Sequence, residues 1–126
     1  MLKLFKGLVP TILALIAWVP DSLAADTTLV YVSARNCGYC RGYEAQLENQ
    51  IKALAKHHHT DYRVVSVASF ANISDEQEYP ADLKWIARSA HLTNLTPTFL
   101  LISGKKIIKT ALGTEQLTAY IVPLIQ

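Results

Sequence analysis

The chain has 126 residues, of which 51% are apolar and 17% are charged, and its formal net charge is +2. This composition excludes a disordered chain, and 12 basic against 10 acidic residues, with no long basic run, exclude the charge footprint of a nucleic-acid-binding protein. Two cysteines are too few for a disulfide-rich scaffold, and the length allows one domain with its own hydrophobic core.

The first residues have the layout of a secretory signal peptide. Lys3 and Lys6 precede the uncharged segment 7–20, and small residues follow at Ser22 and Ala24, the two positions that a signal peptidase reads. The sequence therefore predicts export of the remaining chain.

We expect cleavage after Ala24, with Ala25 as the alternative, so that residues 1–24 are signal and 25–126 form one domain of 102 residues. The apolar part of the signal is 12 residues long, shorter than the roughly 20 that a membrane-spanning helix needs. An uncleaved anchor stays an alternative. The predicted location is the periplasm, an oxidising compartment where a disulfide persists and where the mature domain has no stable membrane insertion.

The exported part alternates strands and helices. Short β-branched and aromatic runs predict strands at 28–33, 62–68, 98–103 and 106–111. Apolar residues at helical spacing predict helices at 39–56, at 80–91 and from 114 onward. The predicted order is β-α-β-α-β-β-α.

The first two predicted helices are amphipathic. In helix 39–56 the apolar positions are Tyr43, Leu47, Ile51 and Leu54. Helix 80–91 begins at Pro80, a favoured first helical residue, and its apolar face contains Leu83, Ile86, Ala87 and Ala90. The valine run in strand 62–68 predicts burial on both faces, in the middle of the sheet.

Turn and cap residues bound the C-terminal elements. Gly104 and Lys105 predict a hairpin between the last two strands. Gly113 breaks the chain before Thr114, which is the predicted N-cap of the last helix, and Pro123 is expected to end or kink that helix. Its predicted apolar face consists of Leu117, Tyr120, Ile121 and Leu124.

The segment between the second strand and the second helix is polar and predicts a loop at 72–78. Glu76 and Glu78 are interpreted as solvated residues of this loop. Trp85, next to Ile86 on the following helix, is expected in the core or at its rim.

Cys37 and Cys40 lie at the junction of the first strand and the first helix. The free N–H groups and the dipole of a helix N-terminus favour an anion, so we expect the pKa of Cys37 to fall below the ordinary thiol value of about 8.5. Arg35 and Arg41 add positive charge. Cys40, one turn further in, is expected to be less exposed. The pattern predicts Cys37 as the nucleophile and Cys40 as the resolving thiol of thiol–disulfide exchange.

Two other uses of the pair stay open. A permanent disulfide would belong to a redox-inert assembly domain, although a bridge across so short a loop removes only about 2 kcal/mol of unfolded-state entropy. A metal-binding or metallochaperone domain would combine the cysteines with histidines. The candidates are His91 and the run of His57, His58 and His59, which helical geometry places roughly 25 Å from Cys37.

The sequence 37–40, Cys-Gly-Tyr-Cys, together with Thr96-Pro97 before an apolar strand, resembles the thioredoxin-fold thiol–disulfide oxidoreductases. The resemblance extends from Leu29 to Leu124. It implies an α/β fold with a central mixed sheet, in a trimmed β-α-β-α-β-β-α version without the first strand and helix of full thioredoxin.

The same resemblance implies which residues contact a substrate. Pro97 is expected to have a cis peptide bond beside the cysteine pair, where the backbone of Thr96 pairs with the bound peptide. Gly38 and Tyr39, between the cysteines, are also expected to bind substrate. Gly113 matches the glycine on the far side of the active-site groove.

Within this superfamily, the Gly-Tyr dipeptide and Thr96 are most similar to the catalytic domain of periplasmic disulfide isomerases of the Dsb group. Those isomerases also have a separate dimerisation domain, for which the predicted 102 residues leave no room. Thioredoxin has a buried acid six residues before its first cysteine, serving the resolving thiol, and the isomerases lack it. Tyr31 stands at that position here and is expected to pack in the core.

The resemblance implies an exported thiol–disulfide oxidoreductase that acts on protein thiols and disulfides. It needs no organic cofactor or metal, because electrons pass directly between sulfurs, and it implies a membrane redox partner that resets the pair. A stabilised thiolate favours an isomerase or oxidase, more oxidising than thioredoxin at about −270 mV. The alternative is a periplasmic thiol reductase, for example in cytochrome maturation.

Overall fold

A computed structural model of the chain describes residues 26–89, 92 and 95–126. The strands are β1 (Thr27–Ala34), β2 (Asp61–Val67), β3 (Thr98–Ser103) and β4 (Lys106–Leu112). Among the described residues, the α-helices before β3 are α1 (Gly38–Gln46), α2 (Glu48–His57) and α3 (Lys84–Ser89). After β4 the chain forms α4 (Gly113–Gln116), a π-helical segment (Leu117–Ile121) and α5 (Val122–Ile125). Short 3₁₀ helices between β2 and α3 are Phe70–Asn72, Glu76–Glu78 and Ala81–Leu83.

The predicted signal peptide, 1–24, lies outside the described residues. Within the part of the chain that is described, none of the helices combines the length and the apolar character needed to cross a bilayer.

The four strands form one mixed sheet in the order β2-β1-β3-β4. β1 runs parallel to β2 and antiparallel to β3, and β3 runs antiparallel to β4. The parallel pair requires a long crossover, which α1 and α2 supply, whereas β3 and β4 join through a turn at Gly104, whose φ is 60°. The predicted element order, mixed sheet and hairpin are confirmed.

The two central strands of the sheet, β1 and β3, are buried in the core. Strands covered on both faces are expected to be apolar without alternation, and every residue of β1 from Leu29 to Ala34 is buried. Phe99 and Leu100 of β3 are fully buried as well. Strand β1, which ends just before the cysteine pair, is therefore packed within the core.

The position of β2 contradicts the prediction. β2 lies at an edge of the sheet rather than in its middle, and its burial alternates. Val65 and Val67 are buried while Val64 is 48% exposed. Alternation is typical of a strand with one covered face. β-branched residues suit any pleated strand, so the valine run did not distinguish an edge from a centre.

The helix predicted over 39–56 is two helices, because the chain leaves helical geometry at Leu47 (φ −127°, ψ −27°). The interruption is local, since the Leu47 N–H still bonds to the Tyr43 carbonyl (2.8 Å) and the Ile51 N–H to the Leu47 carbonyl (3.0 Å). Sharp helix breaks usually have glycine or proline, and here neither marks the position. Of the predicted apolar positions, Tyr43 and Ile51 are buried and Leu47 and Leu54 are partly buried.

The C-terminal helix begins one residue before its predicted cap. Gly113 is its first residue and has φ 83°, in the left-handed region that favours glycine. Leu112 is the N-cap, and the Gln116 side chain accepts the Leu112 N–H at 2.9 Å. The predicted capping role of Thr114 is therefore wrong.

The buried face of this helix also differs from the prediction. Leu117, Ile121 and Ile125 are buried, whereas Tyr120 and Leu124 are 47% and 55% exposed. Pro123 has no N–H to offer the preceding turn and its ring crowds that turn, which accounts for a wider π-helical segment before it. The wider turn brings every fourth residue onto one face.

Helix α3 lies within the predicted range 80–91 but begins later than predicted, at Lys84. Pro80 is the N-cap of the 3₁₀ turn before it rather than the first helical residue. Leu83, Ile86 and Ala87 are buried as predicted. Ala90 and the predicted helix end near His91 lie outside the described residues.

Candidate active site

The cysteine pair lies where β1 ends and α1 begins. The Cys37 N–H bonds to the Ala34 carbonyl (3.2 Å), and Cys37 is the N-cap of α1, with extended backbone angles (φ −104°, ψ 108°). Its Sγ accepts the Cys40 N–H at 3.0 Å. The sulfur thus occupies the place of an N-cap oxygen that satisfies a free helix N–H. A negative charge on this atom lies at the positive end of the helix dipole.

The two cysteines form a disulfide, with their Cα atoms 5.2 Å apart. Cys37 retains 7% of its exposure and Cys40 retains none. The predicted order of exposure is confirmed, although Cys37 is nearly buried in this oxidised form. Cys37 is therefore the sulfur that an incoming thiol can reach first.

The two predicted arginines differ in their surroundings. The Arg41 Nη2 donates to the Ser33 Oγ (2.8 Å) and the Ala34 carbonyl (3.3 Å) of β1 and to the Glu44 Oε2 (3.1 Å) of α1. Its charge is thus paired with a carboxylate. Arg35, on the turn before Cys37, is exposed.

The Thr96–Pro97 peptide bond is cis, as the family resemblance implies. Two hydrogen bonds hold this loop: the Gly113 N–H donates to the Pro97 carbonyl (2.8 Å), and the Thr98 Oγ1 donates to the Leu95 carbonyl (2.6 Å). The loop before β3 is therefore tied to the beginning of the C-terminal helix.

The four predicted substrate-binding residues, Gly38, Tyr39, Thr96 and Pro97, line one open cavity of about 550 Å³. Gly113, at the start of the C-terminal helix, and Gly42 and Tyr43 of α1 also line it. We call this cavity the groove. The sequence places its residues far apart, and the fold brings them together beside the cysteine pair.

Exposed apolar side chains border the groove. Tyr39 is 84% exposed, as predicted, and Leu95 is 56% exposed. Large exposed apolar side chains beside a cavity are typical of a protein-binding surface. Sequence reasoning did not select Leu95. Its position one residue before Thr96-Pro97 was the available signal.

Tyr31 packs in the core, as predicted. Its ring lies 4.7 Å from that of Tyr43 and 5.3 Å from that of Phe99. The Tyr31 hydroxyl also donates to the Glu44 Oε2 (2.8 Å) and lies 3.4 Å from the Cys40 carbonyl oxygen. Glu44 was not singled out from the sequence. It follows Cys40 by four residues, a spacing that places two side chains on one helix face.

The triple histidine ends a helix, as predicted. His57 is the last residue of α2, and its ring meets that of His58 edge to face at 4.8 Å. The predicted alternative ligand His91 lies outside the described residues. Among residues 26–89, 92 and 95–126, no three or more potential metal-ligating side chains come together.

The remaining interpreted residues serve the fold. Trp85 is partly buried against the core, at its rim. Glu76 lies 3.6 Å from Arg88, and the Glu78 Oε1 accepts the Ala68 N–H at 2.9 Å. Glu78 is therefore more than a solvated loop residue, since it ties the loop to the end of β2.

No protein-family model matches the chain, and no curated protein sequence matches it significantly. Solved structures do match. Mala s 13, a thioredoxin of Malassezia sympodialis, is 20% identical with a TM-score of 0.55, over 82% of this chain and 78% of its own. The oxidised thioredoxin of Plasmodium falciparum is 16% identical with a TM-score of 0.53, over 82% and 86%. Fasciola hepatica thioredoxin is 18% identical with a TM-score of 0.51, over 93% of both chains.

These similarities establish the thioredoxin-like α/β fold and confirm the predicted fold class. At such low identity they concern the fold alone. The narrower resemblance to periplasmic disulfide isomerases stays a prediction.

Proposed function

We propose that the protein is a thiol–disulfide oxidoreductase that exchanges a disulfide between Cys37–Cys40 and the cysteines of protein substrates. The observation that carries the proposal is the Cys37 Sγ at the N-terminus of α1, accepting the Cys40 N–H at 3.0 Å. This position favours the thiolate, which is the attacking form of a cysteine. A permanent structural bridge needs no such placement.

The exchange proceeds in two displacements. In the reduced protein, the Cys37 thiolate attacks one sulfur of a substrate disulfide, so that a Cys37–substrate bond forms while the substrate bond breaks and its other sulfur leaves as a thiolate that is protonated. Cys40 then loses its proton and attacks the Cys37 Sγ, which releases the second substrate thiol. The substrate gains two electrons and the protein becomes disulfide-bonded. The reverse sequence oxidises a substrate dithiol.

The groove supplies a place for the substrate peptide. Gly38 and Tyr39 line it beside Cys37, and Thr96 and Pro97 line it from the loop before β3. Exposed Tyr39 and Leu95 favour an apolar segment next to the reacting cysteine. Such a segment is accessible in an unfolded or partly folded protein, which suits a disulfide-exchange substrate.

The direction of exchange is proposed to be isomerase- or oxidase-leaning. Stabilising the Cys37 thiolate stabilises the reduced protein, and this makes the disulfide a stronger oxidant. Arg41 contributes less to this than the sequence indicates, because its charge is paired with Glu44 at 3.1 Å. The helix N-terminus supplies the main effect.

The proposed compartment is the periplasm. The basic residues Lys3 and Lys6, the uncharged segment 7–20 and the small residues Ser22 and Ala24 support export. A redox protein of the membrane is the proposed partner that returns the pair to its working state. Fractionation of cells that produce the full chain, with N-terminal sequencing of the product, tests cleavage after Ala24.

The activity is tested with purified protein in insulin reduction and in reactivation of a scrambled disulfide protein. Cys37→Ser is expected to abolish both activities while circular dichroism and urea unfolding report an intact fold. Cys40→Ser is the matched control, because it removes the same disulfide but keeps the attacking sulfur. Preserved activity in Cys37→Ser would contradict the proposal.

Direction is tested by equilibrating the pair with glutathione. A reduction potential nearer to the value of strong oxidants, about −120 mV, than to that of thioredoxin, about −270 mV, supports the oxidising assignment. A value near that of thioredoxin would instead assign a reductase, such as one serving cytochrome maturation.

A further inference from the structure

The groove beside the cysteine pair contains one charged side chain. Of the described residues that line it, Glu115 alone is charged at neutral pH, and the others are glycine, apolar or uncharged polar residues. Glu115 belongs to α4 and is exposed to solvent. A substrate segment that lies in the groove therefore meets a single fixed negative charge.

This carboxylate has no basic partner in the part of the chain that the structure describes. The ion pairs there are Arg41–Glu44, Arg63–Asp82 and Arg88–Glu76. Glu48, near the groove residue Leu47, accepts instead from the Tyr62 hydroxyl at 3.1 Å. Glu115 is thus available to a cation that comes from another molecule.

Glu115 also lies where the groove meets a second open cavity. This cavity of about 370 Å³ shares Leu47, Thr114 and Glu115 with the groove and extends to Thr118 and Ala119. The shared residues make the two cavities neighbours. A substrate segment that is longer than the groove therefore passes Glu115 on its way into the second cavity.

The length of α1 limits how far this charge lies from the reacting sulfur. Gly38 lines the groove directly after Cys37, and Leu47, which lines both cavities, lies nine positions later in the chain. At 1.5 Å per residue, nine residues are about 14 Å of helix. An extended peptide covers this distance in about four residues. A contact with Glu115 is therefore expected within about four residues of the substrate cysteine.

We infer that the protein acts on substrate segments that combine apolar residues with a lysine or arginine close to the reacting cysteine, and that Glu115 binds this basic side chain. The inference rests on the proposed exchange function and names its substrate class. Tyr39 and Leu95 supply the apolar contacts and Glu115 supplies the charge. Complementary charge across an interface speeds association and selects among partners.

A structural role of Glu115 is separable from this one. Glu115 lies in the first turn of α4, where a negative charge stabilises a helix. That contribution changes the free energy of unfolding, and it is the same for every substrate. A ratio of rates between two peptides therefore reports substrate recognition alone.

The test uses peptides that differ in one residue. Each has one cysteine among leucines, joined by a disulfide to a nitroaromatic thiol, and carries arginine, glutamine or glutamate at one position within about four residues on either side. Attack by Cys37 of the reduced protein on the peptide sulfur forms the Cys37–peptide bond and releases the coloured nitroaromatic thiolate. Stopped-flow absorbance gives the second-order rate constant for each peptide, in low salt and in about 0.5 M salt, which screens exposed charges.

Four proteins are compared, namely wild type, Glu115→Gln, Glu115→Lys and Glu76→Gln. Glu76→Gln is the matched control, because it removes the same charge from the 3₁₀ helix Glu76–Glu78, which does not line the groove. Urea unfolding of each variant reports its stability. A loss of stability would slow all peptides alike and would leave the ratio of their rates unchanged.

Wild type is expected to react with the best arginine peptide about two- to fivefold faster than with its glutamine counterpart, the range of one exposed ion pair. The glutamate peptide should be the slowest, and salt should remove the differences. Glu115→Gln should react equally with the arginine and glutamine peptides, and Glu115→Lys should favour the glutamate peptide. Glu76→Gln should keep the wild-type ratio.

Equal rates for all peptides in wild type, or faster reaction of the glutamate peptides, would overturn the inference. The same holds if Glu115→Gln keeps the arginine preference or if Glu76→Gln loses it as completely. Each of these results leaves the exchange function intact, because the peptides still react. Release by wild type that is no faster than release by free glutathione, with every peptide, would instead refute the proposed function itself.

Discussion

The two cysteines have unlike surroundings although only two residues separate them. Cys37 retains 7% exposure and is followed by Gly38 and Tyr39, which line the open groove, and Tyr39 is 84% exposed. Cys40 has no exposure and lies against the hydrogen-bonded pair of Tyr31 and Glu44. The proposed roles, attack by Cys37 and resolution by Cys40, follow from this difference in packing together with the N-cap position of Cys37.

The largest effect is expected from removing the buried sulfur of Cys40. Cys40→Ser leaves Cys37 able to attack but removes the group that releases the substrate. Proteins from a periplasmic extract should then stay bound as mixed disulfides, visible on non-reducing gels and released by dithiothreitol. Cys37→Ser, which loses the same disulfide, should trap nothing. Equal trapping by both variants would refute the assignment of roles.

The buried tyrosines predict that the protein loses stability at alkaline pH. Burial raises the pKa of Tyr31, Tyr43 and Tyr62 from 10.0, and raises the pKa of Tyr79 to about 12. Above pH 10 these phenols ionise in the unfolded chain but stay protonated in the folded one. The free energy of unfolding should therefore decrease, by about 1 kcal/mol per tyrosine at pH 11.

Urea unfolding at pH 8 and pH 11 measures this decrease. Tyr43→Phe should reduce it by about 1 kcal/mol, since one buried phenol no longer favours the unfolded state. Tyr39→Phe is the control, because this exposed side chain meets water in both states, and its curve should follow that of wild type. A decrease that Tyr43→Phe leaves unaltered would argue against a buried, protonated phenol there.

Gly113, which lines the groove, has a backbone conformation that favours glycine. Gly113 has φ 83° and its N–H holds the Pro97 carbonyl, and a methyl group added at its Cα would meet no atom within 4 Å outside its chain neighbours. Gly113→Ala should therefore lower the free energy of unfolding by about 1–2 kcal/mol through backbone strain alone. Gly42, inside α1, also has open space around it, and Gly42→Ala should raise stability by about 0.5–1 kcal/mol.

Chemical unfolding of the two glycine variants checks both signs. Opposite shifts of the urea midpoint are expected. A Gly113→Ala midpoint equal to or above that of wild type would mean that the left-handed conformation at residue 113 costs an alanine nothing.

The smallest effect is expected far from the cysteines. Arg63 forms a two-bond ion pair with Asp82 (2.7 and 3.1 Å), and the hydrogen bond from Arg63 lowers the pKa of Asp82. A lowered pKa stabilises the folded state above the ordinary carboxyl pKa, near pH 4, and this contribution is lost as the pH falls further. Because the pair is exposed, its contribution is small.

Asp82→Asn should flatten the acid limb of the stability curve slightly and leave the rate of disulfide exchange unchanged. Acid titration followed by circular dichroism measures the first, and insulin reduction the second. A slowed exchange would mean that the cysteine pair is coupled to this ion pair.

Sequence patterns predicted the strands well because these are short apolar runs between turn residues. The bounds of β3 agree with the prediction, and those of β1 and β4 lie within one residue of it at each end. The edge position of β2 was not predictable, since it depends on which strand the crossover returns beside. The buried face of the C-terminal helix was predicted wrongly, because the π-helical segment before Pro123 changes the spacing of the buried residues.

The residues of the candidate site were likewise predicted only in part. The cysteine pair and the cap position of Cys37 follow from local sequence, and the resemblance supplied Thr96 and Pro97. The contact of Tyr31 with Glu44 joins a strand to a helix, so no local pattern contains it. Only the helical spacing of Cys40 and Glu44 pointed toward that carboxylate.

The most direct test of the unlike surroundings is the alkylation of reduced protein by a limiting amount of iodoacetamide at pH 7, with the modified peptides identified by mass spectrometry. The account predicts that Cys37 is modified first and that Cys40 stays unmodified until the protein is unfolded in urea. Equal modification of the two cysteines, or earlier modification of Cys40, would contradict it.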